Sequence, residues 1–281
     1  MKPGRESKTA VLVCMGRALA NGDPGLPMFQ DPTAFALLPD EARLRVERAR
    51  SEGAAKGLKK AIEQGYLRIQ AKVMAARTLA IDDAIRRAAS PQLVILGAGL
   101  DGRAWRMPEL SNATVFEVDH PDSQRQKRKR VAALGQVAKE VRFVPVDFTE
   151  DDLDQALAAA GHDPKLPTTW VWEGVIMYLT RRSIEATLAV VERRSLPGSC
   201  LSVVYHNPAL VLRVVGAVVR FLGEPLRSAF RPETLRSLLG KYGFEVVRDQ
   251  SVPEVGRAIS AELATATKRA AHLRIATATR R

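Results

Sequence analysis

The sequence predicts an α/β fold in which a doubly wound sheet of mostly parallel strands follows a largely helical N-terminal region. Residues 1–90 are rich in Ala, Leu, Arg and Glu, and their apolar residues recur at roughly helical spacing. The hydropathy pattern changes at residue 91, after which short apolar runs alternate with longer polar segments. At 281 residues the chain is long enough for one large domain with a cap.

Six apolar runs are the predicted strands, and the segments between them are the predicted helices. We place the strands at residues 92–97, 113–119, 141–147, 168–174, 199–206 and 244–252. We place the helices at roughly 101–110, 121–137, 150–161, 180–195 and 232–242. Gly65 is expected to break the N-terminal helical stretch. The tail after residue 259 is expected to form a last strand or helix with a frayed end.

Residues 207–230 are expected to form a helical insertion. They carry more apolar surface than a simple crossover needs, so we predict a lid over the substrate, formed together with part of the N-terminal region. A buried crossover helix or a dimer contact is the alternative. The predicted organisation is a helical cap over residues 1–90 and a cofactor-binding domain over residues 91–281 that carries the lid.

The formal net charge of +12 indicates a surface that attracts anions, such as acidic small molecules and nucleotides. The densest basic run covers residues 124–130, and we interpret it as the solvated face of a helix. Aromatic residues make up only 5% of the chain, and no nucleic-acid-binding motif accompanies the run. No nucleic-acid partner is therefore expected.

Cysteine and histidine are too sparse for a disulfide framework or a metal site. Cys14 and Cys200 lie far apart, and the four histidines show no ligand spacing. The apolar stretch 208–223 is interrupted by arginines and is too short to span a bilayer. Glu6 and Arg17 flank and interrupt the N-terminal apolar run, so a signal peptide is not expected. We expect a cytoplasmic protein.

Functional residues are expected at the carboxyl ends of the strands, where doubly wound folds bind ligands. The first strand runs into Gly-Ala-Gly-Leu-Asp-Gly, whose Gly97 and Gly99 let a ligand approach the backbone closely. The second strand ends in Asp119, where a carboxylate can accept hydrogen bonds from both hydroxyls of a ribose. A nicotinamide dinucleotide and S-adenosylmethionine both fit these two features.

The next two strand ends favour S-adenosylmethionine. Asp147 and Phe148 offer a carboxylate for the adenine amino group and an apolar side chain for its ring. Glu173 ends the fourth strand and is followed by Tyr178. We find no Tyr-x-x-x-Lys pair and no evident His–acid pair for hydride chemistry, whereas methyl transfer mainly requires donor and acceptor to be held in line. An NAD(P)-dependent oxidoreductase and a non-catalytic donor-binding protein are the alternatives.

Several motifs, spread in order over nearly the whole chain, resemble the leucine carboxyl methyltransferase family. The resemblance is to its bacterial branch of S-adenosylmethionine-dependent methyltransferases, which have a class I, Rossmann-like fold. Many relatives have Asp-Thr-Arg after the glycine turn, whereas this chain has Asp-Gly-Arg at residues 101–103. The matching stretches are residues 29–38, 75–85, 94–106, 115–127, 144–148, 172–180 and 231–247.

The resemblance implies a role for each matching residue. Arg77 matches the arginine that pairs with the methionine carboxylate of the donor, a task that suits the guanidinium fork. Glu173 matches the acid near the amino-acid end of the donor, where it would meet the ammonium group. Tyr178 and Tyr205 match positions close to the transfer site. The other implied donor contacts are Gly97, Gly99, Asp119, Asp147 and Phe148.

The resemblance also implies a direct in-line transfer that converts S-adenosylmethionine to S-adenosylhomocysteine. A carboxylate acceptor needs no base because it is ionised at neutral pH, whereas a hydroxyl would need one, with Tyr205 and His206 as candidates. Arg103 and Arg181 are candidates for positioning an acidic acceptor, with plain surface charge as the alternative. The expected acceptor is a small, hydrophobic metabolite. Whether the methyl group goes to a carboxylate or to a hydroxyl stays open, and so does the alternative that the acceptor is a carboxyl group of a protein.

Overall fold

The predicted sheet is present, with a seventh strand formed by the C-terminal tail. The computed structural model describes residues 7–51, 58–148, 150–208 and 226–281. The strands in these ranges are β1 (Gln92–Leu96), β2 (Thr114–Asp119), β3 (Glu140–Pro145), β4 (Thr168–Trp172), β5 (Cys200–His206), β6 (Phe244–Ser251) and β7 (Leu273–Arg280). Their order is β3-β2-β1-β4-β5-β7-β6. The first five run parallel, and β7 is antiparallel to β5 and β6.

Helices precede the sheet and cover both of its faces. Short 3₁₀ helices lie at Pro108–Leu110, Ile176–Tyr178 and Lys268–Ala270. No helix in the described ranges is long and apolar enough to cross a bilayer. The α-helices are α1 (Lys8–Ala20), α2 (Thr33–Leu37), α3 (Asp40–Ser51), α4 (Leu58–Ala88), α5 (Arg103–Arg106), α6 (Pro121–Val131), α7 (Leu153–Ala159), α8 (Arg181–Arg193), α9 (Pro232–Lys241), α10 (Val252–Ile259) and α11 (Ala261–Thr267).

Side-chain alternation along β1 divides the core into two clusters. Leu93 and Ile95 pack with α1–α6, α10 and α11, whereas Val94 and Leu96 pack with α7, α8 and α9. Every residue of β1 is buried, as a parallel strand covered on both faces requires. The helices of the predicted cap therefore share one core with a face of the sheet.

The fold class is confirmed, but several predicted helix boundaries are wrong. The helix expected over residues 101–110 consists of α5 alone, followed by a 3₁₀ turn that begins at Pro108. A proline there lacks the N–H that a continuing helix needs. The helix expected over residues 121–137 ends at Val131. α4 continues through Gly65, because one glycine in a helix costs only about 1 kcal/mol.

The predicted lid over residues 207–230 lies largely outside the described residues, which include only 207–208 and 226–230 of it. The N–H groups of Arg227 and Ser228 donate to the carbonyl of Met177 at 2.8 and 3.1 Å. The N–H of Phe230 donates to the carbonyl of His206 at 2.9 Å. The chain therefore returns to the sheet between the end of β5 and the loop after β4.

The basic run on α6 contains one lysine that does not face water. Arg125, Arg128 and Lys129 are exposed, as predicted, whereas Lys127 is 1% exposed. Its Nζ lies 2.7 Å from both carboxylate oxygens of Glu117, which is fully buried on β2. This pair joins α6 to the middle of the sheet.

Replacing Lys127 by Met should lower the free energy of unfolding at pH 8 by about 3–5 kcal/mol, because Glu117 would keep a buried charge without a counter-ion. Burial raises the pKa of Glu117 to about 7 even beside Lys127. Below this pKa the carboxyl takes up a proton, so the loss should shrink toward pH 5. Urea denaturation at the two pH values measures both effects. The double variant E117Q/K127M should regain most of the stability, and a double variant as unstable as K127M would contradict this explanation.

Candidate functional site

A cavity of about 370 Å³ opens at the carboxyl ends of β1, β2 and β4, where the strand order reverses. Leu96 pairs in register with Val118 on one side and Trp172 on the other. The residues that follow these positions therefore meet at one edge of the sheet, as doubly wound folds require. The predicted residues brought together there are Gly97, Gly99, Asp119 and Glu173.

The glycine turn brings backbone to the cavity wall. Gly97 and Gly99 have φ values of 73° and 46°, in the left-handed region that glycine adopts readily. The N–H groups of Gly97 and Ala98 donate to the carbonyl of Val118 at 2.7 and 3.0 Å. A Cβ on Gly97 would lie 2.0 Å from Cγ2 of Val175. The turn therefore accepts glycine alone at this position.

At Gly102, where the family resemblance leads us to expect threonine, a side chain from α2 fills the space that a larger residue would occupy. A Cβ at this position would lie 2.0 Å from Oγ1 of Thr33. That hydroxyl donates to Oδ1 of Asp31 at 2.7 Å. Thr33 therefore occupies the space that a side chain at residue 102 would need.

Asp119 directs both carboxylate oxygens at backbone N–H groups. Oδ2 accepts from Gly99 at 2.5 Å, and Oδ1 accepts from His120 at 2.6 Å. Burial raises the pKa of Asp119 above its ordinary value, and the two N–H donors oppose that rise. Each oxygen keeps a second lone pair, so the carboxylate can still accept hydrogen bonds from hydroxyls in the cavity.

Arg77 and Glu173 form an ion pair on the cavity wall. Nη2 of Arg77, on α4, lies 2.7 Å from Oε1 of Glu173. Burial disfavours the charged form of Glu173, but Arg77 and Arg103 outweigh it and hold its pKa below the ordinary value. Nε of Arg77 is buried and has no hydrogen-bond partner in the part of the chain that the structure describes. The wall thus contains a guanidinium group, with a buried and unfilled Nε, beside an ionised carboxylate.

The two arginines expected to hold an acidic acceptor lie elsewhere. Arg103 is 1% exposed and lies behind the cavity wall, against three carboxylates. Three buried carboxylates at one point need a cation among them, which explains its burial. Arg181 lies on α8, where its Nε is 2.7 Å from Oε1 of Glu185. It does not line the cavity.

Helix α1 forms another wall, which no sequence motif indicated. Thr9, Val13 and Arg17 line the cavity. Nη1 of Arg17 lies 3.2 Å from Oδ2 of Asp31, and its Nη2 donates to the carbonyl of Leu100 at 2.5 Å. One feature of the sequence could have indicated this wall, namely the charged Arg17 within an apolar helix. A charge in such a helix needs a buried partner.

Tyr178 and Arg227 both line the cavity. The Tyr178 hydroxyl donates to Oγ1 of Thr9 at 3.3 Å, which links the loop after β4 to α1. Arg227 was not predicted, and the described residues include no carboxylate that pairs with its guanidinium. An arginine at a cavity wall that no described carboxylate pairs with is a place for an anion.

Asp147 and Phe148 are near the cavity but do not line it. They follow β3, which is one strand further from β1. Oδ2 of Asp147 lies 3.8 Å from Nε2 of His120, the residue after Asp119. Their position is therefore beyond the Asp119 side of the cavity.

Tyr205 and His206, at the end of β5, are not brought to the cavity. The Tyr205 hydroxyl donates to Oδ2 of Asp249 at 2.7 Å and accepts from Nε of Arg274 at 3.1 Å. His206 stacks on His272 with ring centroids 5.3 Å apart. Burial, with repulsion from neighbouring groups, lowers the pKa of His206 to about 3, so its imidazole is a weak base. The structure gives both residues packing partners instead of substrate contacts.

A model of the leucine carboxyl methyltransferase family matches residues 10–192. The chain belongs to this family. Two relatives carry names that provisionally assign them as S-adenosyl-L-methionine-dependent methyltransferases. The Mycolicibacterium gilvum relative is 39% identical over 225 residues, which cover 78% of this chain and 71% of the relative. The Frankia alni relative is 34% identical over 230 residues, which cover 80% and 74%.

Solved structures share the fold of this methyltransferase. A DUF574 family protein from Streptomyces avermitilis superposes with a TM-score of 0.59, at 14% identity, over 98% of both chains. The CcbJ methyltransferase from Streptomyces caelestis has a TM-score of 0.50, at 16% identity, over 72% of this chain and 88% of its own. Family membership makes the protein an S-adenosylmethionine-dependent methyltransferase and sets the oxidoreductase alternative aside.

Replacing Gly97 by Ala should destabilise this methyltransferase more than replacing Gly198 by Ala. Both glycines have positive φ, 73° and 87°, so each substitution costs about 1–2 kcal/mol in backbone strain. Only G97A adds a clash, because nothing lies within 4 Å of a Cβ at Gly198. Thermal unfolding should show the larger fall in Tm for G97A. Equal falls in Tm would show that the side chain of Val175 can move away from the added methyl group without a loss of stability.

Proposed function

We propose that this methyltransferase binds S-adenosylmethionine in the cavity and transfers its methyl group to an oxygen of a small molecule. The observation that carries the proposal is the pairing of Arg77 with Glu173 beside the glycine turn. The guanidinium of Arg77 suits the carboxylate of the donor, and the ionised Glu173 suits its ammonium group, since both residues line the cavity. Asp119, one strand away, suits the ribose hydroxyls.

The adenine is proposed to lie beyond Asp119. The cavity extends past this residue to Ser123 on α6. Asp147 lies on the same side, 3.8 Å from His120, and Phe148 follows it in the chain. A carboxylate and an apolar ring at that position match the amino group and the face of an adenine.

The residues of this chain are proposed to act by orientation. When bound, S-adenosylmethionine supplies a methyl group activated by its sulfonium charge. Arg77 and Glu173 hold the amino-acid end, Asp119 holds the sugar, and α1 covers the cavity from the other side. With the donor fixed at separate points, the remaining requirement is an acceptor oxygen held in line with the methyl group.

A carboxylate is the favoured acceptor group. No histidine in the described ranges lines the cavity, and Asp101 and Glu173 are both engaged by arginines. A hydroxyl acceptor would need a general base, whereas a carboxylate is already ionised at neutral pH. Arg227 would attract that anion, and Val13 and Val175 offer apolar contacts to its hydrophobic part. We therefore propose a small, partly hydrophobic acid.

Replacing Asp119 by Asn should weaken the binding of S-adenosylhomocysteine by roughly 10- to 100-fold. The change removes charge-assisted hydrogen bonds worth about 1.5–3 kcal/mol and sets an amide N–H against the N–H of Gly99 or His120. Isothermal titration calorimetry with the full chain measures the affinity. The control is E185Q, an exposed carboxylate on α8, which should bind as the wild type does. Equal affinity of D119N and wild type would place the ribose elsewhere.

Replacing Arg227 by Gln should reduce methyl transfer at least about tenfold while S-adenosylhomocysteine affinity stays within about twofold. Label from methyl-labelled S-adenosylmethionine can be followed into the anionic and neutral fractions of a bacterial small-molecule extract. We expect the label to enter substrates of the anionic fraction and to convert them to less acidic products. Transfer only to neutral hydroxyl compounds would contradict the carboxylate assignment. Donor binding without any transfer would favour a non-catalytic protein.

A further inference from the structure

We infer that Arg103 is a positioning residue for the methyl donor, which acts through Glu173 and Asp101 without touching the donor. This role rests on the proposed function, because Glu173 is assigned there to the ammonium group. Nε of Arg103 donates to Oδ1 of Asp82 at 2.8 Å, and its Nη1 donates to Oε2 of Glu173 at 3.0 Å. The same Nη1 pairs with Oδ2 of Asp101. One guanidinium therefore joins α4, the turn after β1 and the end of β4.

Arg103 stands directly behind the wall that the donor would meet. It does not line the cavity, whereas Asp101 and Glu173 both do. Its third partner, Asp82, lies on α4, the helix that also carries Arg77. The fork of Arg103 therefore sets the distance between α4 and the end of β4, and with it the placement of the Arg77–Glu173 pair.

Arg103 also belongs to a buried network in which opposite charges balance. Nη2 of Arg106 lies 2.7 Å from Oδ2 of Asp82, and its Nε lies 3.6 Å from Oδ2 of Asp31. Without Arg103, four carboxylates would face three guanidinium groups in a site shielded from water. The network would then hold a proton near neutral pH, since burial disfavours the excess charge. Its members are Arg17, Arg77, Arg103, Arg106, Asp31, Asp82, Asp101 and Glu173.

The groups around Glu173 set the sign of the expected pH dependence. Its charge is opposed by burial and by Asp101, and the surrounding guanidinium groups stabilise it enough to keep its pKa below the ordinary value. Glu173 should therefore stay ionised in the wild type between about pH 6 and pH 8.5. Because Glu117 on β2 has a pKa of about 7, each variant is compared with the wild type at the same pH. Without Arg103 the carboxyl of Glu173 is protonated at the acid end of this range and the ammonium group loses its partner. The charged groups that face Glu173 are Arg77 on α4, Arg103 on α5, Arg17 on α1 and Asp101 after β1.

His206 does not contribute to this dependence. It is near Arg77 from the side of β5, and its pKa of about 3 keeps it neutral over the whole range. His272, stacked on it, also has a pKa below its ordinary value because it is buried. The expected change in donor affinity with pH therefore comes from the titration of carboxylates and not from these histidines.

The binding of S-adenosylhomocysteine to the full chain, measured by calorimetry between pH 6 and pH 8.5, tests the role of Arg103. R103Q should bind about tenfold more weakly than the wild type at pH 6, and within about threefold of it at pH 8.5. R103K restores the charge but not the planar fork, so it should bind about threefold more weakly at every pH. The matched control is R87Q, an exposed arginine on α4, which should keep the wild-type affinity at every pH.

The outcomes separate positioning from a merely structural role. Wild-type affinity and pH profile in R103Q, with only a lower Tm, would overturn the inference. So would a pH-independent loss that R103K does not reduce. If R103Q does not fold, D82N removes a partner of Arg103 outside the cavity wall and should weaken binding about threefold; unchanged affinity in both D82N and R103K overturns the inference. A folded wild type that binds no S-adenosylhomocysteine contradicts the proposed donor site itself.

Discussion

Charge balance at the buried edge of the sheet is the constraint on which the donor site depends. Four arginines and four carboxylates meet there, almost all shielded from water. Such a cluster is tolerated only while each charge has an opposite neighbour, because an unpaired buried charge costs several kcal/mol. The amino-acid end of S-adenosylmethionine carries one charge of each sign. It can therefore enter beside Arg77 and Glu173 without upsetting the balance.

The N-terminal helices are part of the site because the same network reaches them. Arg17 on α1 and Asp82 on α4 connect the glycine turn and the end of β4 to the helical layer. The apolar side chains of that layer share a core with one face of the sheet. The cavity is consequently enclosed by a wall of α1 as well as by the strand ends. The wall of α1 reduces the access of water to a ligand held there, which strengthens its charged contacts.

The proposed acceptor side of the cavity differs from the proposed donor side in its chemistry. The donor side is a set of matched ion pairs, whereas the acceptor side combines Tyr178, apolar side chains and an arginine that the described carboxylates leave unpaired. The polar side chains at the end of β5 are not available there, because Tyr205 is bound to Asp249 and His206 is stacked on His272. Under the proposed function, an acceptor that brings its own negative charge would complete this arrangement, since it would need no base and would neutralise the guanidinium.

The sequence by itself determined the sheet, its glycine turn and the residues Gly97, Asp119 and Glu173, because these depend on local signals. A strand followed by glycines, or by an acid, places those groups at a carboxyl end in any parallel sheet. It did not show the wall formed by α1, the burial of Arg103, or the packing partners of Tyr205. Whether an arginine or a tyrosine faces solvent, a ligand or a carboxylate depends on neighbours far away in the chain. Only the tertiary structure brings Asp31, Asp82 and Asp249 next to them and thereby decides their roles.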